Sequence, residues 1–346
     1  MAVSAIALQC DATIWRVRYA DPTADFESIQ EAINNAQYED TIHIEPVANY
    51  TYPGADCDLK LTFIGAGFNF GESPMENPDL QAFHTTSKVD HLIFNSINAN
   101  GSEVHGLHFT GQYALTIQAT SEITIRGNYF DNSPVYFYGV NSYNVRIVNN
   151  YFSATFGKIE SWNGGGQNTF VYLEISNNIF AGGWIDLETD DILSSAPIHH
   201  NVFTGLGNKI LLGSGAIITD NVFVTQGATL SLTSSNTLEN NVCADISTFT
   251  NVPPDNFDLA VSNVQGNTSG MFVNGVNSLD AMWELSNLGL AFPSYDGTQV
   301  GIFGGATPYK LSGIPPVPTI YELHMLNTAV QNQDVDVTFS TRTNGN

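Results

Sequence analysis

Lys158, Asp186, Glu188 and Lys209 are the residues of this chain whose types suit chemistry on a polysaccharide. A lyase needs a base to remove the proton beside a uronate carboxyl group and cations to neutralise that group. Lys158 and Lys209, bracketing Asp186, fit those roles. A hydrolase needs paired carboxylates instead, and Asp186, Glu188, Asp190 and Asp191 supply them. In the same stretches lie Tyr136, Tyr138, Glu160, Trp162 and Trp184. Aromatic faces stack on sugar rings and flanking charges fix orientation, so these five read as a carbohydrate-binding strip. A third reading needs no ligand at all. Lys158, Asp186 and Lys209 on successive layers of a sheet would form a salt-bridge ladder that contributes little beyond solubility.

What would gather these residues on one surface is a repeat. "ITIRGNYF" (123–130), "VRIVNNYF" (145–152) and "LEISNNIF" (173–180) are near-copies. Their asparagines continue as Asn128, Asn150, Asn178, Asn201, Asn221, Asn241 and Asn267, in steps of 22, 28, 23, 20, 20 and 26 residues. A period of that size with irregular insertions marks a solenoid. "EVHGLHF" (103–109) is a degenerate earlier copy with Leu107 in place of the Asn. An apolar column (Ile125, Ile147, Ile175, Ile198, Ile218, Leu238) precedes each Asn, and a second one follows it (Phe130, Phe152, Phe180, Phe203, Phe223, Cys243). Local alternation at period two, rich in β-branched and aromatic types, means short strands. Strands repeated once per coil stack about 4.8 Å apart, and an Asn at one bend can bond its copies above and below. The expected fold is all-β: a single-stranded, right-handed parallel β-helix.

Alternation also says what faces out. Counted from the ladder Asn, positions +7 and +9 are apolar in several coils, so +8 and +10 are expected to face solvent: Tyr136 and Tyr138, Lys158 and Glu160, Asp186 and Glu188, Lys209 and Leu211, Thr229 and Ser231. Before the Asn, His199 is expected outward in a column with Arg126, Ser176, Thr219 and Glu239, and His199-His200 reads as turn residues more than as a general base. Cys243 replaces Phe in an inward column and reads as a small buried hydrophobe. "DLETDD" (186–191) is a dense acidic turn that suits a hard cation, so calcium is the one cofactor the sequence suggests. No metal-ligand set is assigned; the three cysteines show no CxxC spacing, which argues against a zinc site.

The ends fit a solenoid. "DFESIQEAINNAQ" (25–37) reads as an amphipathic helix capped by Asp25, with Phe26, Ile29, Ile33 and Ala36 on one face, covering the open strand edges. A strand "DTIHIEP" follows, and "GIFGGATPYKLSGIPPVPTIYELHM" (301–325), rich in Gly and Pro, leaves the helical path as a terminal cap. The expected divisions are a signal-peptide remnant at 1–12, an N-terminal cap with the first coils at 13–95, coils at 96–275, and a C-terminal cap and tail at 276–346. Insertions at 161–170 and 244–258 are expected as loops framing the flank. Ten Lys and Arg against 34 Asp and Glu leave a net charge of −24, which disfavours nucleic acid and anionic lipid as partners. No apolar run approaches a membrane span.

"FESIQEAINNA", "DTIHIEP" and the N-x-F coils together resemble the pectate-lyase-like β-helix superfamily over nearly the whole chain. More narrowly, "ATIWRV", "DFESIQEAI", "LTFIGAGF" and "GIFGG" with "SGIPPVPTIY" look like secreted β-helix proteins of Bacteroidota. The resemblance implies fold and export, and hardly any activity, because that superfamily holds lyases, hydrolases, epimerases, adhesins and phage spikes. Polygalacturonase motifs are absent as a set: "TDD" (189–191) stands without G-H-G or R-I-K. "YGVN" (138–141) has Asn141 where the mannuronan epimerase motif has Asp, and Ser142-Tyr143 where it has Pro-His. The expected function is therefore an extracellular or cell-surface protein that binds glycan or polysaccharide through one flank. A polysaccharide lyase or glycoside hydrolase is the alternative, and a structural or adhesive spike the third reading.

Overall fold

The computed structural model describes residues 12–68, 85–139, 141–154, 156–162, 168–233, 235–245, 248, 264–265, 268–273, 278–325 and 336–343. All but Ala12 of the expected leader at 1–12, and most of the insertions at 161–170 and 244–258, lie outside the described residues. What is described is a parallel β-helix of about nine turns. Three faces recur in every full coil. On the first face, strands such as Thr124–Arg126, Arg146–Val148 and Glu174–Ser176 pair in parallel with like residues level, Ile125 with Ile147 and Ile147 with Ile175. The second face follows one corner later and stacks Phe130 on Phe152, Phe152 on Phe180 and Phe180 on Phe203. The third carries Leu115–Ile117, Val135–Tyr138, Ile159–Trp162 and the continuations of two long strands, Ile185–His199 and Gly207–Thr219.

The first corner explains why the motif keeps its asparagine. From Asn128 to Asn241 each ladder Asn is fully buried, and from Asn150 onward its Oδ1 accepts the backbone N–H of the Asn one coil earlier: 2.9 Å for Asn128 to Asn150, Asn150 to Asn178, Asn178 to Asn201 and Asn201 to Asn221, and 3.1 Å for Asn221 to Asn241. The same oxygen takes the previous Nδ2 at 3.0–3.1 Å, while each Nδ2 also donates to a strand carbonyl of the coil before, as Asn178 does to Ile147 at 2.8 Å. A corner leaves backbone groups without strand partners, and the amide satisfies a donor and an acceptor at once. The residue before each Asn is left-handed, with φ of 61° at Gly127, 59° at Asn149, 55° at Asn177, 56° at His200, 57° at Asp220 and 53° at Asn240. Gly, Asn, Asp and His are the types that tolerate that region best.

Inside, Phe109, Phe130, Phe152, Phe180, Phe203 and Phe223 form one continuous stack, with ring centroids 4.7–5.0 Å apart and planes within 7° of parallel. Cys243 ends that column, fully buried as expected. The cap helix runs Ile29–Asn35, shorter than expected, and Ser28 rather than Asp25 caps it, with Ser28 Oγ accepting from Glu31 N at 3.2 Å. Asp25 instead accepts the Arg16 amide at 2.8 Å, which ties the preceding loop to the first strand. Ile29, Ala32 and Ile33 are buried, and the helix packs against Ile14–Val17, Thr41–Ile44 and Ala55–Cys57.

The residue between Asn and Phe faces out on the second face and is covered by later chain. Tyr151, Ile179, Val202, Val222 and Val242 pack with Met271, Phe272, Leu285, Val300, Ile302 and Tyr309 as a second apolar core. Residues 293–314 run back along the first corner as a strap. Asn240 Nδ2 donates to Pro293 O at 3.2 Å, Asn177 Nδ2 to Ile302 O and Gly304 O at 2.8 Å, and Phe68 N to Ser312 O at 2.7 Å. Gly313 is left-handed, and a Cβ there would collide with the Gly127 carbonyl. Most of the segment expected as a terminal cap thus lies along the flank. The remaining strands, Pro318–Met325 and Val337–Thr343, pair as an antiparallel hairpin.

Asn178→Ala removes two acceptor contacts, leaves the Asn150 amide buried and unpaired, and takes one donor from the Ile147 carbonyl. We expect a loss of about 2–4 kcal/mol of unfolding free energy. Urea unfolding monitored by circular dichroism measures it, and a change under about 0.5 kcal/mol would mean that the ladder is dispensable.

Candidate functional site

The third face carries the expected strip. Its outward column is Ile93, Thr116, Tyr136, Glu160, Asp186, Leu211 and Ser231, each level with the next. Tyr136 stands eight residues after its ladder Asn, but Glu160, Leu211 and Ser231 stand ten after theirs. Longer turns after the second face place Lys158, Lys209 and Thr229 ahead of the row that a fixed count assigns them. Two residues is a whole strand period, so the inward–outward alternation survives while the neighbours change.

Tyr136, Tyr138 and Trp162 do come together. Tyr138 stacks on Trp162 at 4.9 Å between ring centroids, and Tyr136 lies 6.1 Å from Tyr138. Tyr113, which the sequence did not mark, extends the row 6.0 Å beyond Tyr136. These four aromatics, floored by Ile93, Thr116 and Gln118, line an open cleft of about 340 Å³. Tyr113, Tyr138 and Trp162 are 57%, 43% and 43% exposed, so ring surface faces solvent. The signal for Tyr113 was available: it sits in the turn three residues before Thr116, the residue level with Tyr136.

The charged residues separate into pairs. Lys158 Nζ bonds Glu160 at 2.7 Å and lies 5.0 Å above the ring of Trp184, so Trp184 is half-buried beneath a cation and not in the cleft. Asp186 is level with Glu160 on one side and Leu211 on the other. Because Ile185 is level with both Ile159 and Ile210, Lys158 and Lys209 flank Trp184 in the row before Asp186, and no Lys158–Asp186–Lys209 ladder forms. Lys209 occupies a bulge between Asn208 and Ile210 and is 1% exposed, with its ammonium 3.5 Å from Gly183 O. Burial holds its pKa below the ordinary lysine value. Such a group cannot reach a polymer on the outer surface. The backbone of 188–191 stands against the single residue Gly213, a bulge within the long strand that carries Glu188 and the acidic "DLETDD" run.

His199 is outward as expected, level with Ser176 and Thr219, and lies 3.9 Å from Glu174, which Arg146 binds at 2.7 Å. His200 is buried at the corner beside Asp220. Burial, with a smaller contribution from His199, pushes the His200 pKa down to about 4, and burial pushes Asp220 up to about 7.

Lys209→Met removes a buried ammonium and keeps the stem's volume. We expect it to raise stability at pH 7 by about 1 kcal/mol or more. The folded pKa is lowered, so the unfolded chain binds more protons between the two values, and wild-type stability rises with pH there. The advantage of the variant therefore shrinks as pH approaches 10. Urea unfolding at pH 7 and pH 10 checks this, and destabilisation at pH 7 would show that the ammonium is paired.

Compared with protein-family models, with curated proteins and with solved structures, the chain finds no match.

Proposed function

We propose that this protein binds a neutral glycan chain along the third face, as a secreted or cell-surface β-helix without catalysis of its own. The row of Tyr113, Tyr136, Tyr138 and Trp162 along an open cleft carries the reading. Rings spaced about one coil apart on a rigid sheet offer successive stacking surfaces to a linear polymer, at little conformational cost to the protein. Glu160 and Asp186 continue the same column and supply acceptors for sugar hydroxyls. With a net charge of −24 and carboxylates beside the cleft, a polyanion would be repelled, so a neutral polymer fits best. The resemblance to the pectate-lyase-like superfamily and to exported Bacteroidota β-helices supports the extracellular setting.

The enzymatic reading, a polysaccharide lyase or glycoside hydrolase, keeps one supporting observation. Glu160 and Asp186 are carboxylates on adjacent rungs beside the strip, the residue types a hydrolase needs. Against a lyase stands the separation of Lys209 from the surface.

Affinity electrophoresis against a panel of neutral and acidic polysaccharides tests both. We expect retardation by a neutral polymer, reduced about tenfold or more in apparent affinity by Trp162→Ala. Trp184→Ala, outside the cleft, should change it by less than about threefold. Unaltered binding by the Trp162 variant would put the strip in the wrong place. Products absorbing in the ultraviolet, or new reducing ends, would replace the binder with a lyase or a hydrolase.

A further inference from the structure

The corner column that precedes the ladder asparagines meets the strap through polar side chains, and its composition changes at two neighbouring coils. Where Asn177 and Asn240 donate amide protons to strap carbonyls, the intervening positions are His200 and Asp220, and the strap presents Asp296 to them. His200 and Asp220 are each only 1% exposed. His200 Nε2 lies 3.7 Å from Asp220 Oδ2 and 3.6 Å from Asp296 Oδ2, both longer than a hydrogen bond, and the three ligand atoms lie within 4.8 Å of one another.

Each of the three side chains is anchored by one polar atom and turns the other inward. His200 Nδ1 is 2.8 Å from His199 Nδ1, so one proton is shared between those two nitrogens. Asp220 Oδ1 accepts the Tyr295 amide at 2.6 Å. Asp296 Oδ1 accepts the Thr298 amide at 2.9 Å and its hydroxyl at 2.6 Å. The remaining atoms converge: one imidazole nitrogen and two carboxylate oxygens, with Ser294 a further hydrogen-bond partner of Asp296. Thr298 Oγ1 lies 3.4 Å from His200 Nε2, and the Gln299 backbone also hydrogen-bonds the imidazole, a bond that a bound cation would replace. When the shared proton sits on His200 Nδ1, Nε2 directs a lone pair at two carboxylates, an arrangement that a cation or a proton between them relieves. Ligands held from behind through their second polar atom are the usual support of a metal centre. Separations of 3.6–3.7 Å are close to what two bonds of about 2.0–2.2 Å from one cation span.

We propose that His200 Nε2, Asp220 Oδ2 and Asp296 Oδ2 form a divalent transition-metal site that clamps the returning strap to the corner of the β-helix. The imidazole selects against calcium and magnesium, which prefer all-oxygen shells. Three protein ligands leave a fourth position for water, on the side where the Asp296 side chain is 36% exposed. Two ligands come from adjacent coils and the third from the strap, so the ion would cross-link chain segments that otherwise meet through hydrogen bonds and the apolar flank. The missing CxxC spacing has no bearing here, because no thiolate takes part.

Isothermal titration of the chelator-treated chain with Zn²⁺ tests the site, with thermal melting as a second readout. We expect one equivalent to bind, and the thermal midpoint to rise by about 3 °C or more at a hundredfold excess over Kd. Asp296→Asn keeps the size of a partly exposed side chain, should fold as the parent does, and should weaken Zn²⁺ binding about tenfold or more. Asp186→Asn, on the third face away from this corner, should bind as the parent does. Absence of stoichiometric binding, equal affinity in the Asp296 variant, or tighter binding of Ca²⁺ than of Zn²⁺ would each overturn the assignment.

Discussion

A buried asparagine amide at one corner of six successive coils is the constraint on which the rest of this molecule depends. A β-helix must turn its chain where no strand can pair the backbone, and a fully buried corner without partners would cost about 1–3 kcal/mol for each unmet group. Here the Oδ1 of each Asn takes the amide of the preceding coil while Nδ2 returns to a strand carbonyl. The bond is possible only when coils lie flat and level, so the ladder sets the register as well as closing the corner. Register in turn aligns the phenylalanine stack and the isoleucine column, which carry the apolar burial.

Elements next to that corner were legible in the sequence, and elements far from it were not. Spacing from first-face strand to Asn to Phe is constant, so both inward columns, the outward His199 column and buried Cys243 follow directly from N-x-F. The third face comes after a turn of variable length. Its residues drift by two between coils, which set Lys158 and Lys209 level with Trp184 rather than with Asp186. Parity survived the drift, and that is why Tyr136, Tyr138 and Trp162 were still found on one surface while the charged residues were grouped wrongly. The helix start failed for a different reason: Asp25 and Ser28 both suit an N-cap, and the amide of Arg16, distant in sequence, takes Asp25.

The strap was the largest feature hidden from the sequence, though it left a trace. The middle residue of N-x-F is Tyr, Ile or Val in coil after coil, and an outward apolar column on a surface needs a cover. Once residues 293–314 supply that cover, the molecule has two unlike sides. One corner is closed by polar contacts and apolar packing against the returning chain; the third face stays open and bears the aromatics. The proposed binding strip and the proposed clamp therefore occupy different surfaces of one stack. Asp296 joins His200 and Asp220 only through the path of the strap, which no local spacing encodes.

Native-state hydrogen exchange tests the ladder most directly. The backbone amides of Asn128, Asn150, Asn178, Asn201 and Asn221 each donate to the Asn side chain of the next coil. They should exchange only through the largest opening of the β-helix, as slowly as the amides of the strands on either side. Exchange of these five at the rate of exposed loop amides would show that the coils are not held together at the corner, and the account of this fold would fall with it.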